Sequence, residues 1–306
     1  LSEPDDILTL HALAIVLILL TFHLAWADEK PLYLSLETPP APELSPAEAL
    51  AAFAIAPGFN IELVAAEPLT EDPVAIAWDE IGNLYVAEMR GFMPDAYGAG
   101  DKEPVGTVVK LMDTDNDGEF DLRQVLLDHL VLPRAIAIVN EGLLVGEPPN
   151  LWLCPSQTGA SKDIDCQKKI RLVNYGDQPG NVEHAENGLL MAIDNWIYNA
   201  KSDRRMRIQN GSLVVERTLF RGQWGITQDN QGLLYYNTNS NFLLGDLYDA
   251  QPVIEAGNSG GPGLNTQISK QDQVFAVRVN PGVNRAYVPG VLREDGRLDK
   301  PTSASG

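Results

Sequence analysis

The chain has little cysteine, little histidine and few bases, and each scarcity removes a class of protein. Two cysteines in 306 residues are too few for a disulfide-stapled scaffold, and neither belongs to a Cys-x-x-Cys pair that would hold a metal. No Cys-x-x-Cys-His occurs, so no covalent haem belongs to this chain. Against 42 Asp and Glu stand only 22 Lys and Arg, a net charge of -20. A field of that sign repels phosphate backbones, which argues against nucleic acid as a partner and suits calcium and neutral or cationic ligands. Long helical patterns are scarce, whereas 26 Gly and 21 Pro supply turn formers. Many short strands are expected.

What is present begins with an unbroken apolar run at 12–20, followed by Ala25, Trp26, Ala27 and polar Asp28. This reads as the apolar region and cleavage site of a secretory signal. The preceding Glu3, Asp5 and Asp6 are acidic where a basic segment is usual. The stretch 7–27 is nearly long enough to span a bilayer, so an uncleaved anchor is the alternative. Either reading exports the rest to the periplasm or the cell exterior and confines membrane contact to residues 1–27. Residues 28–54 read as a linker and a short helix, with Ser45 as N-cap and Glu48 completing a capping box. In an exported chain, Cys154 and Cys166 are expected to form a disulfide.

From Phe59 onwards one theme repeats: an apolar strand, a polar turn, a second apolar strand. It occurs at 74–88, 135–147, 188–199 and 225–237, with turns opening on Asp79, Asn140, Asp194 and Asp229. The spacing is close to one propeller blade, and each hairpin is apolar on both faces, as a sheet between two neighbours requires. The expected fold over 55–306 is all-β: a β-propeller of four-stranded blades, incomplete, with about four to five blades present. A β-sandwich of repeated hairpins is the alternative.

The sharpest local motif is Asp113, Asp115, Asp117, Gly118, Glu119 and Asp121. Carboxylates at loop positions 1, 3, 5 and 9 face one centre, Gly118 makes the turn, and Glu119 offers a backbone oxygen, a pattern suited to calcium. Position 12 is Gln124, where an EF-hand has a bidentate Glu, and the flanks read as strands. A structural calcium loop joining two strands is expected. Cys154 and Cys166 fall at the equivalent place of the next repeat, so a disulfide there closes the loop that calcium closes here.

Downstream of residue 27 only His129 and His184 remain. His129 reads as structural. His184 precedes the third repeat, where a propeller presents polar residues to its channel and an imidazole can serve as general base. Residues 184–198 resemble the segment carrying the catalytic histidine of pyrroloquinoline-quinone-dependent soluble sugar dehydrogenases. Residues 220–226 are similar to that family's Arg-Asn-Pro-x-Gly-Leu run. More of the chain, from about Ile55 to Gly306, resembles the propeller of large exported membrane-bound dehydrogenase-like proteins, which share the Asp-x-Asp-x-Asp-Gly loop and the run at 281–287 and often continue into a C-terminal c-type cytochrome.

The resemblance implies His184 as the base that takes a proton from a sugar or alcohol hydroxyl. It implies Arg221 as a contact to the quinone, and Ser240 and Asn241 in the loop that binds the quinone's calcium. A cytochrome would then accept the electrons. Two positions depart from the sugar-dehydrogenase pattern: Gly222 replaces the Asn beside the cofactor Arg, and Gly188 replaces an Arg four places after the histidine. The leading expectation is a quinone-dependent oxidoreductase; the alternative is a non-catalytic calcium-binding propeller that binds or scaffolds. A remote alternative comes from Gly257, Asn258, Ser259, Gly260, Gly261 and Pro262, which spell the nucleophile loop of trypsin-like serine proteases.

Overall fold

A computed structural model describes residues 44–95, 97–158, 164–173, 175, 184–238, 241 and 243–268, together with the strand pair 274–275 and 297–298. The apolar run at 12–20, Ser240 and the run at 281–287 lie outside the described residues. Glu43–Gln271 form one compact unit; the isolated strand pair belongs to another. Among the described residues no helix is long and apolar enough to cross a membrane.

The first helix, α1 (Pro46–Ala51), carries the expected capping box, with the Ser45 hydroxyl and the Glu48 carboxylate each accepting the other's backbone N–H. Four antiparallel sheets follow, each a four-stranded meander in chain order. The first is β1 (Pro73–Trp78), β2 (Leu84–Glu88), β3 (Gly106–Met112) and β4 (Leu122–Leu130). The second is β5 (Ala135–Val139), β6 (Gly142–Glu147), β7 (Asn150–Pro155) and β8 (Ile170–Leu172). The third is β9 (Asn187–Met191), β10 (Ile197–Ala200), β11 (Ser202–Gln209) and β12 (Ser212–Arg221). Short strands make the fourth: β13 (Thr227–Gln228), β14 (Leu234–Tyr236), β15 (Leu244–Gly245) and β16 (Thr266–Gln267), with helix α2 (Gln251–Glu255) between the last two. In the other unit β17 (Val274–Phe275) pairs with β18 (Arg297–Leu298).

Alternation along the strands explains how the sheets stack. Ile136 and Val145 of the second sheet pack with Tyr85, Ala87 and Val108 of the first. Ala135, Ala137 and Leu144, on the opposite face, pack with Leu189, Ile197 and Met206 of the third. The third in turn packs Trp196 and Tyr198 against Leu234 of the fourth. First strands lie beside first strands, β1 with β5 and β5 with β9. Small residues in those strands permit the approach. The arrangement is all-β and propeller-like, and closure into a ring is not seen among the described residues. On the far side of the first sheet, Ala65 and Leu69 cover Leu84, Val86 and Val109 but leave Val74, Ile76 and Trp78 of β1 exposed.

Two side-chain devices recur. In three hairpins an aspartate at the turn caps backbone N–H groups and accepts a tyrosine hydroxyl from the returning strand: Tyr85 to Asp79 at 3.3 Å, Tyr198 to Asp194 at 2.7 Å, Tyr235 to Asp229 at 3.0 Å. Burial and the bond to Asp194 push the Tyr198 hydroxyl up to about 12. The second hairpin turns on Asn140 and Glu141 before Gly142, whose added Cβ would lie 2.0 Å from the Cys154 carbonyl oxygen. Glutamates at the ends of second strands are the other device. Glu88 accepts the Glu71 N–H at 3.1 Å and Glu147 the Val131 N–H at 2.6 Å, each tying down the chain as it enters the first strand of its sheet. Burial opposes the charge on Glu88, but Thr107, Glu71, Arg123 and Arg90 together hold its carboxyl below the usual range.

Candidate functional site

The connection between third and fourth strands differs in every sheet. In the first it is the acidic loop. Asp113 sits at its start and accepts N–H groups from Asn116 at 2.7 Å, Asp117 at 3.3 Å and Gly118 at 2.9 Å, so the backbone wraps around one carboxylate. The Gly118 bond leads the effects that lower the Asp113 pKa. Gly118 takes φ of 96°, which a side chain would oppose. Asp121 closes the loop by accepting both the N–H and the hydroxyl of Thr114. One oxygen from each of Asp113, Asp115 and Asp117 lies within 4.8 Å of the others. Repulsion from Asp117, followed by burial and by Asp121 and Asp113, raises the Asp115 pKa. The loop thus gathers three of the five expected ligands around one centre, and Glu119 is tied to it through its N–H on Asp117 at 2.8 Å. Oxygen ligands converging on a turn that is already formed fit a hard divalent cation.

In the second sheet Cys154 of β7 is bonded to Cys166 in a short 3₁₀ turn (Cys166–Lys168). Asp165 caps that turn through the Gln167 N–H at 3.0 Å and pairs with Lys168 at 2.8 Å. The expected disulfide therefore occupies the position at which the first sheet has its acidic loop. A tight Asn210–Gly211 turn joins β11 to β12 in the third sheet. The fourth has a long excursion containing α2 and the run 257–262, in which Ser259 is exposed.

His184 stands exposed on a turn just before β9. His129 falls within β4, four-fifths exposed, with Nδ1 3.1 Å from Asp128. Buried Asn187 ties the His184 turn to the segment after Arg221: its amide donates to the Gln223 carbonyl at 2.9 Å and its oxygen accepts the Gly225 N–H at 2.8 Å. The two segments singled out by sequence are thus brought together. Both departures from the sugar-dehydrogenase pattern have a local cause. Gly222 takes φ of 73° with space for no Cβ beside Ala200, and Gly188 takes φ of 98° close to Ile226. Arg134, buried where β5 begins, lies 5.9 Å over the Trp224 ring; burial lowers its pKa while Tyr175, Glu186 and Asp101 favour its charge.

Arg221 itself is 4% exposed and faces inwards. Its Nε donates to Asp246 at 2.7 Å, and its Nη1 to the Thr218 hydroxyl at 3.2 Å and the Leu219 carbonyl at 2.9 Å. Asp246 also accepts the Tyr236 hydroxyl and the Asn265 N–H, both at 2.9 Å. Asn241 bonds within its own turn to Thr238. Sequence reading missed Asp246 and Asn187: neither lies in a spaced motif, although Asn187 follows His184 closely enough to have drawn attention.

No curated protein matches the chain significantly. The family described as a domain of unknown function, DUF7133, matches residues 45–306, from the Ser45 cap through the acidic loop and the His184 turn. The chain belongs to the DUF7133 family.

Proposed function

We propose that the chain is a calcium-stabilised, exported propeller that acts as a binding or scaffold module. The observation that carries this reading is the commitment of Arg221 to Asp246 in a buried pair, with Thr218 and Leu219 taking Nη1. A guanidinium so engaged has one nitrogen left for an outside partner. That nitrogen can make a single ligand contact and not the several hydrogen bonds that holding quinone oxygens would need, so no step is derived through that cofactor. Calcium fits the acidic loop: Asp113, Asp115, Asp117 and Asp121 with the Glu119 carbonyl would hold it, and its contribution there is to neutralise the carboxylates and fix the turn. Export is supported by the apolar run at 12–20 and by the disulfide, which persists in oxidising compartments.

A second reading, a quinone-dependent oxidoreductase acting on a sugar or alcohol with a cytochrome as acceptor, is favoured by one observation. Asn187 fastens the His184 turn to the segment that follows Arg221. In that reading His184 holds the proton of the substrate hydroxyl. A dye-reduction assay with added pyrroloquinoline quinone and calcium separates the two. Silence across aldoses and alcohols is expected; turnover that disappears in His184→Ala overturns the binding reading.

A further inference from the structure

Between the third and fourth sheets lies a cavity of about 170 Å³. It is lined by the buried pair Arg221 and Asp246, by Tyr198, and by Asp194 and Asp249, with Ile193 and Leu233 supplying apolar wall. Asp194 and Asp249 are exposed. Three features describe what it can hold. Among the described residues the bonds of the Arg221 side chain all go through Nε and Nη1, and none reaches Nη2. Asp249 uses one oxygen to accept the Gln251 N–H at 2.9 Å, and among the described residues none bonds to the other. Asp194 accepts the Tyr198 hydroxyl through Oδ2 and the Trp196 N–H through Oδ1, which fixes its carboxylate in place.

The lining therefore presents a guanidinium donor and carboxylate acceptors in one space. Asp246 neutralises Arg221, so Asp194 and Asp249 repel a simple anion, while a simple cation leaves the guanidinium donor unmatched. A hydroxyl suits both, because it accepts from the guanidinium and donates to a carboxylate. A closed cavity of about 150 Å³ holds a benzene ring, so this space takes a molecule of about six to ten non-hydrogen atoms. We infer that the cavity is a binding site for a small neutral polyol, from a tetritol to a pentose. The inference rests on the binding-module reading and gives it a ligand class. It requires neither His184 nor a quinone.

The test is titration of the full chain, in calcium-containing buffer without quinone, with erythritol and with D-xylose, followed by NMR. Choline chloride and sodium acetate serve as charged comparisons. Saturable binding of a polyol is expected. Gln231→Trp places a large side chain at an exposed lining position and is expected to weaken binding at least about tenfold. Asp249→Asn keeps the oxygen that caps Gln251 and removes the charge, with a loss of about threefold to tenfold expected, as for one charge-assisted hydrogen bond. If Gln231→Trp does not fold, Asp249→Asn decides alone. Absence of saturable binding, affinity unchanged in the folded variants, or equally tight binding of choline or acetate overturns the inference. Turnover dependent on His184 would remove the binding-module reading without deciding the cavity's occupancy, and unoccupied cavities would leave the dye-reduction result untouched.

Discussion

The first and second sheets close the same connection in opposite ways. Between β3 and β4 the chain gathers exposed carboxylates that repel one another, and Asp115 registers that repulsion as a raised pKa. Between β7 and β8 it uses a covalent bond from Cys154 to Cys166, helped by Asp165 and by Lys169 stacked 4.7 Å over Trp152. One closure responds to pH and, on the calcium reading proposed above, to a soluble cation; the other responds to redox state. The same contrast extends to the hairpins, since the second sheet lacks the aspartate–tyrosine lock of the other three. Equivalent connections in a repeat thus join the same two strands without sharing the chemistry that holds them.

The largest expected effect extends this comparison to the fourth sheet, whose long connection is anchored by Asp246. Asp246→Ala leaves the Arg221 charge buried without its partner and removes the acceptor for Tyr236 and Asn265. Urea denaturation is expected to show a loss of about 3–5 kcal/mol. A loss below about 1 kcal/mol would mean that water reaches the guanidinium. Cys154→Ser should cost about 3 kcal/mol, the value for closing a loop of this size, with hydrogen exchange rising in β7 and β8 and staying unchanged in β3 and β4. Faster exchange throughout would break the contrast between the two sheets. Smaller still is Tyr198→Phe, expected to cost about 1–2 kcal/mol for one hydroxyl bonded to a carboxylate, with no comparable residue to remove from the second hairpin. The Asp115 contribution has the opposite sign to the usual carboxylate. Its folded pKa is raised, so the stability it contributes is complete below its ordinary value and is lost as pH climbs through the raised one. In calcium-free buffer, Asp115→Asn should flatten that part of the pH–stability curve; an unchanged slope would exclude the repulsion.

Much of this was legible in sequence because it is local. Hairpins betray themselves by paired apolar runs about a polar turn, the α1 cap by Ser45 and Glu48, and the acidic loop by Asp113, Asp115 and Asp117 in alternate places. The disulfide was legible from compartment and count. Arg221 shows where such reading stops. Its position drew attention, but its partner Asp246 is separated from it by a whole hairpin, and no spacing rule joins the last strand of one sheet to the end of the third strand of the next. The role of Gly222 was likewise hidden: only the closeness of Ala200 shows that a larger residue would not fit there. The exposed face of β1 was also invisible to a pattern that treats every hairpin alike, since it reflects which segments happen to cover Leu84 and Val86.

The most direct measurement compares the thermal response to calcium in the oxidised protein and after reduction with dithiothreitol. Independent closures predict a lower melting temperature on reduction but the same calcium-induced rise in both states, as for separate sites whose energies add. A rise that vanishes once the Cys154–Cys166 bond is reduced, or that never occurs in the oxidised chain, would contradict the account.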